Sequence, residues 1–298
     1  ERLIKPVFDE FSKRTGIKIT LHSAGTVELL NRLIAEGDRT RADIYMTVDA
    51  GTLERARVAG LLHPIKSDFI GKNIPAAMRA PDNSWAGLSL RIRVIAYNPK
   101  KIKPDEIKTF DSLADPKFKG RLGLRTGSNI YPQSHIAMML AERGESGTGE
   151  FLMAILANAG DKIYPSDSRA VEAVAKGEVD AAIVNHYYVY GHLRKNQGDS
   201  STLSFVVPQK TAYNVSGAGI LKTSKNKEAA QKLIEFMASD EGQKMFVEDN
   251  REYPVNPGLA PHPEMMPRHQ FTLSDVTLSR MGRYVIPAID LIDKVGYR

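Results

Sequence analysis

The chain of 298 residues carries 41 Lys and Arg against 35 Asp and Glu, a formal net charge of +6, and no cysteine. Such a length implies two globular units or one large one, and the missing thiols exclude disulfides, thiolate metal sites and cysteine nucleophiles. Basic residues are interspersed with acids, without a basic stripe, a recognition helix or interleaved aromatics, so nucleic acid is not an expected partner. No run approaches the roughly 20 apolar residues of a membrane-spanning helix. With no basic-then-apolar leader at its start, the chain is expected to be either cytoplasmic or a mature exported protein whose leader has been removed.

In chain order, LIKPVFDEFSKRTG places Leu3, Val7, Phe8 and Phe11 on one helical face and stops at Gly16. The spacing then predicts a strand over IKITLH, a loop at SAGT, a helix over VELLNRLIAEG, a strand over ADIYMTV and a helix from Gly51 to Gly60. A fold of this kind normally has a strand before its first helix, so some first-strand context is expected ahead of Glu1. Two long extended segments follow, WAGLSLRIRVIAYN and YNVSGAGIL. Between them lie the strand GRLGLRTG, a helix over PQSHIAMMLAERG, another around FLMAILANAG, the helix SRAVEAVAKG and the strand VDAAIVN.

Short apolar runs alternating with amphipathic helices predict an α/β fold with a largely parallel sheet. Two extended crossovers bracketing an inserted α/β unit predict two lobes, lobe one from 1–92 with 218–267 and lobe two from 93–217 with 268–298. The closing helices from Phe271 onward are expected to pack on lobe two.

Ligands of open parallel sheets collect beyond the carboxyl ends of strands. Three polar loops meet that description: SAGT, TGSNIYPQS and NHYY. In the second, Thr126, Gly127 and Ser128 could present backbone N–H groups to an anion at a helix N-terminus, although an ordinary capped loop would read the same way. The third opens NHYYVYGH, three tyrosines and two histidines in eight residues, straight after a strand. Phenol is a poor ligand at neutral pH unless a metal displaces its proton, and a hard trivalent cation such as Fe(III) does so best. Adjacent helical residues point about 100° apart, so Tyr187 and Tyr188 reach one ion only from a helix's first turn. Aromatic packing is the bland alternative for YYVY; Tyr131, at the equivalent loop of the same lobe, makes the metal reading competitive with it.

The segments ADIYMTVDAGTLERARVAG, SLRIRVIAYNP, FKGRLGLRTGSNIYPQSHIAMML, GEVDAAIVNHYYVY and EYPVNPG resemble those of bacterial periplasmic ferric-ion-binding proteins, the solute-binding components of iron ABC transporters. The resemblance implies a two-lobe periplasmic binding protein type II fold with two extended crossover hinge segments. It also implies an extracytoplasmic, periplasmic receptor, monomeric and with its signal peptide removed, that captures ferric ion in the interlobe cleft and delivers it to an ABC permease. Carried over onto SNIY and NHYY, the ferric ligands are Tyr131, Tyr187 and Tyr188. Arg91, and less so Arg93, would hold a synergistic anion such as carbonate or bicarbonate, with Thr126 and Ser128 as further anion contacts. Asp49 and His186 are candidate second-layer residues. Family members often add a histidine or tyrosine from the loop after the first strand, which precedes Glu1.

Two rivals share the fold: an oxyanion receptor using TGS and Arg91, and a polyamine receptor, for which the strand-end loops offer only Asp49 and Asp167 as obvious acids. An enzyme is not expected, since G-x-S-x-G, P-loop and H-E-x-x-H patterns are missing.

Overall fold

A computed structural model describes residues 4–298. Its elements run α1 (Lys5–Thr15), α2 (Thr26–Glu36), β1 (Ile44–Thr47), α3 (Ala50–Val58), β2 (Leu62–His63), α4 (Asp68–Asn73) and β3 (Ala86–Tyr97). Then come β4 (Leu122–Arg125), α5 (Ile130–Ala159), β5 (Ile163–Tyr164), α6 (Asp167–Lys176), β6 (Ala181–Asn185), α7 (His186–Lys195) and β7 (Ser204–Val206). The chain closes with β8 (Tyr213–Leu221), α8 (Lys227–Ala238), α9 (Asp240–Asn250), α10 (Leu278–Gly282) and α11 (Val285–Lys294).

The chain divides into two compact units. The first takes the described residues up to Leu90 with Asn214–Arg268 and Thr277–Arg283. In it β1 and β2 both pair antiparallel with β8, from Ile44 opposite Ile220 to Thr47 opposite Gly217, and with Leu62 opposite Leu221. The helical period of α1 turns Val7, Phe8 and Phe11 inward, and the Phe11 ring lies 5.7 Å from that of Phe236 in α8. Trp85, Leu88 and Tyr253 fill the interior beneath the strands.

The second unit takes Arg91–Tyr213, His269–Val276 and Tyr284–Arg298. Here β6 is flanked by β3 on one side and β4 on the other, antiparallel to the first and parallel to the second. β4 continues into parallel β5, and β7 pairs antiparallel with the outer half of β3. Every residue of β6 is buried, which is why AAIV is a continuous apolar run without alternation before Asn185. Helix α11 packs along α5, burying Ala288, Leu291 and Ile292.

The architecture is α/β as expected, but four features depart from the sequence reading. The sheet is mixed: β4 pairs parallel with β5 and β6, while β1 and β2 pair antiparallel with β8, and β6 and β7 with β3. The segment IKITLH forms no strand; residues 17–22 are largely exposed and, among the described residues, pair with no neighbour, and an alternating pattern becomes a strand only when another strand completes its hydrogen bonds. The two helices expected after Tyr131 are joined end to end as α5, broken at Gly144 with φ 78° and ψ −177°, a backbone shape open only to glycine. Finally, α10 packs on α3 of the first unit, burying Leu278 and Met281, while α11 stays with the second.

Candidate metal centre

Parallel neighbours end on the same side of a sheet, about 5 Å apart. β4 and β6 are such neighbours, Leu122 opposite Ala181, so the loops after Arg125 and after Asn185 open side by side. Each leads into a helix through an asparagine N-cap: Asn129 before α5 and Asn185 before α7. Tyr131 and Tyr187 are therefore the second helical residue in two adjacent strand-to-helix turns, with Tyr188 beside the latter. The arrangement meets the first-turn requirement for Tyr187 and Tyr188.

The three phenols, all half-buried, form one cluster. The Tyr187 and Tyr188 rings lie 4.5 Å apart at 39°. Burial pushes the Tyr188 phenol up to about 12; Tyr131 and Asp167 add to the rise, and a hydrogen bond with Tyr187 and the Arg125 charge oppose it. Tyr131 is thus close enough for its charge to add to the rise at Tyr188. Two guanidiniums face the Tyr131 ring, Arg125 at 4.8 Å and Arg91 at 5.7 Å from its centroid. Cations at such distances are held by the ring's quadrupole.

Beneath the cluster runs a buried polar network. Asp167, wholly buried at the start of α6, accepts from Arg125 Nη1 at 3.2 Å through one oxygen, and from Arg93 Nη1 at 3.1 Å and the Asn185 backbone N–H at 2.8 Å through the other. Asn185 does not cap α7 with its side chain; its Oδ1 accepts from Arg93 at 3.1 Å and its Nδ2 donates to the Tyr187 hydroxyl at 3.2 Å. The Tyr297 hydroxyl donates to the Arg125 carbonyl at 2.6 Å.

The remaining candidates separate. Arg91, 2% exposed, belongs to the cluster. Arg93 turns its two terminal nitrogens to Asp167, Asn185 and the Ile183 carbonyl. Thr126 has its backbone N–H committed to the Tyr164 carbonyl at 2.9 Å, so the anion nest expected from Thr126 does not form; Ser128 is exposed at the loop tip, where its carbonyl accepts from Gln133. His186 is fully buried, with Nδ1 accepting from the Ile92 N–H at 3.3 Å and its ring edge-on to Tyr187 at 5.5 Å, so it steadies the turn. Tyr190 packs against Phe205, as an aromatic past the first turn should. Asp49 lies in the first unit and caps α3, accepting from Thr52 N–H and Oγ1 at 2.7 and 2.8 Å and from Asn214 at 2.7 Å.

Arg125, Asn185 and Tyr297 were not singled out from sequence, and Asp167 only as a loop acid. A strand-terminal arginine in GLR and an acid just after a capping serine were the signals available for Arg125 and Asp167; Tyr297 offered none.

Comparisons with known proteins give the family of the chain. The family model described as bacterial extracellular solute-binding protein matches residues 1–244. Iron uptake protein A1 of Synechocystis sp. is 34% identical over 98% of this chain and 83% of its own length. The major ferric iron-binding protein of Neisseria meningitidis serogroup B is 34% identical over 84% of this chain and 77% of its own. Among solved structures, the Trichodesmium protein IdiA (FutA) in complex with iron and citrate ligands superposes with a TM-score of 0.92 at 35% identity, covering 100% of this chain and 97% of that one. With that span of agreement in sequence and in fold, the chain belongs to the bacterial extracellular solute-binding proteins.

Proposed function

We infer that this receptor binds ferric ion through the phenolate oxygens of Tyr131, Tyr187 and Tyr188, outside the cytoplasm, and hands it to an ABC permease. The observation that carries this is the convergence of the three phenols from two parallel, adjacent strand-to-helix turns. Phenolate is a hard anionic oxygen donor, suited to a hard trivalent cation, and three of them cancel its charge. Among the described residues no group of three or more His, Cys, Asp or Glu could hold a metal, so the phenols are the donor set on offer. The names of the Synechocystis and Neisseria relatives, and the iron in the Trichodesmium complex, support the same cargo.

Arg91, Arg93 and Arg125 stand against the single carboxylate of Asp167. That cationic surplus favours an anion as the remaining ligand, seated on Arg91; carbonate or bicarbonate would fit, and citrate is the anion in the Trichodesmium complex. Titration with ferric citrate should raise a visible phenolate-to-iron charge-transfer band, and Tyr187→Phe with Tyr188→Phe should abolish it. A colourless wild-type protein that takes up phosphate or sulfate in calorimetry would replace ferric binding with the oxyanion function.

A further inference from the structure

The ferric function above takes the tyrosines as given; what holds them to one another is a separate question. Tyr131 and the pair Tyr187 and Tyr188 rise from different loops, and the hydrogen bonds within the sheet stop short of both. The buried carboxylate of Asp167, the first residue of α6, bonds to the strand-end residues that open both loops.

One of its oxygens holds Arg125, the last residue of β4, whose guanidinium carbon sits 4.8 Å from the centroid of the Tyr131 ring. The other oxygen holds the backbone N–H of Asn185, the last residue of β6, and that residue's amide donates to the Tyr187 hydroxyl. Arg93 closes the circuit, bridging Asp167 and the Asn185 side chain with one nitrogen. Asn185 has given up its usual task to do this. An N-cap asparagine ordinarily accepts from the first turn of its own helix, whereas this one makes no such bond and turns its side chain to Arg93 and Tyr187.

We propose that Asp167 is a positioning residue for the cargo site: with Arg125 on one side and Asn185 on the other, it sets the separation between Tyr131 and the Tyr187–Tyr188 pair. This rests on the ferric assignment, since the distance it sets matters only if one ion must touch all three phenols. Partners beyond the coordinating atoms hold ligands in orientation, and their loss commonly costs about 10–100-fold in metal affinity. Asparagine at 167 would keep the volume but present an amide N–H₂ to one of two guanidiniums, releasing either Arg125 or the Arg93–Asn185 side of the circuit.

The test compares Asp167→Asn and Arg125→Gln with Glu54→Gln, a control that removes an equally buried, arginine-paired carboxylate from the first unit. Three quantities are read: ferric affinity by competition with citrate, the maximum of the charge-transfer band at saturation, and the melting temperature of the iron-free protein. Asp167→Asn and Arg125→Gln should each lower ferric affinity by about 10–100-fold and move the band maximum, because altered Fe–phenolate geometry changes the transition itself. Glu54→Gln should melt earlier with the band and affinity of wild type. Should Asp167→Asn fail to fold, Arg125→Gln supplies the same two readings. A folded Asp167→Asn or Arg125→Gln protein with wild-type band and affinity overturns the positioning role, as does an equal loss in Glu54→Gln. A wild-type protein with no band removes the ferric assignment itself.

Discussion

At the scale of single residues, the chemistry turns on phenol protons. Burial raises Tyr188 to about 12, so the iron-free protein carries it as a neutral phenol at physiological pH. Under the ligation proposed above, ferric ion displaces that proton to bind, and binding is coupled to its release. Affinity should therefore rise with pH and fall as the solution is acidified, by about tenfold per pH unit for each proton released. Affinity measured by citrate competition at pH 6 and pH 8, together with direct titration of released acid, checks this; pH-independent affinity would contradict phenolate ligation. His135 is the second titrating residue of consequence. Its imidazole, 6% exposed and 4.4 Å from the Phe110 ring, is held well below its usual range by burial, and next by the nearby charges of Arg93 and Arg143. The unfolded chain takes up a proton below about pH 6.5 while the folded chain does not, so stability is lost as pH falls from that value toward the depressed one. Melting curves at pH 7.5 and 5.5 should show a smaller acid loss for His135→Leu than for wild type.

At the scale of elements, the Tyr131 loop is braced from outside its own strand. A Cβ added at Gly127 would meet the Tyr297 carbonyl at 2.3 Å, a backbone atom without the freedom of a side-chain tip to move aside. Gly127→Ala must shift either the loop or the C-terminal turn, and overpacking of this kind costs about 1–3 kcal/mol. The variant should melt earlier and bind iron more weakly than wild type, since Tyr131 rides on the displaced loop. Gly144→Ala, at the break within α5, should cost stability by a similar amount and leave the charge-transfer band in place, because the strain there lies more than three helical turns beyond Tyr131. Most elements were legible from period and punctuation alone: α1 from Val7, Phe8 and Phe11 ending at Gly16, α6 from SRAVEAVAKG ending at Gly177, β6 from a short apolar run. IKITLH was misread because its alternation is real, while a strand is a property of a pair.

At the scale of the whole molecule, the family match and the agreement in fold concern the receptor as a unit. Cargo that binds only the folded chain stabilises it in proportion to the logarithm of saturation, about 4 kcal/mol at a thousandfold excess over the dissociation constant. Differential scanning calorimetry with and without ferric citrate should show a marked rise in melting temperature, absent in the Tyr187→Phe, Tyr188→Phe double variant. The placement of α10 belongs to this scale too. Its Leu278 and Met281 demand burial, but nothing in LSRMG says against which partner, and α3 of the first unit provides it.

The residue order alone determined which side chains can hold a hard cation and that Tyr131 and Tyr187 follow strand ends in matching turns, because donor chemistry and helix-start patterns are local properties. Only the tertiary structure decided that β4 and β6 are parallel neighbours, that Arg93 turns to Asp167 while Arg91 and Arg125 face Tyr131, and that the buried carboxylate at the start of α6 bonds to the residues ending both strands. Those outcomes depend on which strand lies beside which, and on the need of a buried charge to find its partners. Both are set by the packing of segments far apart in the chain.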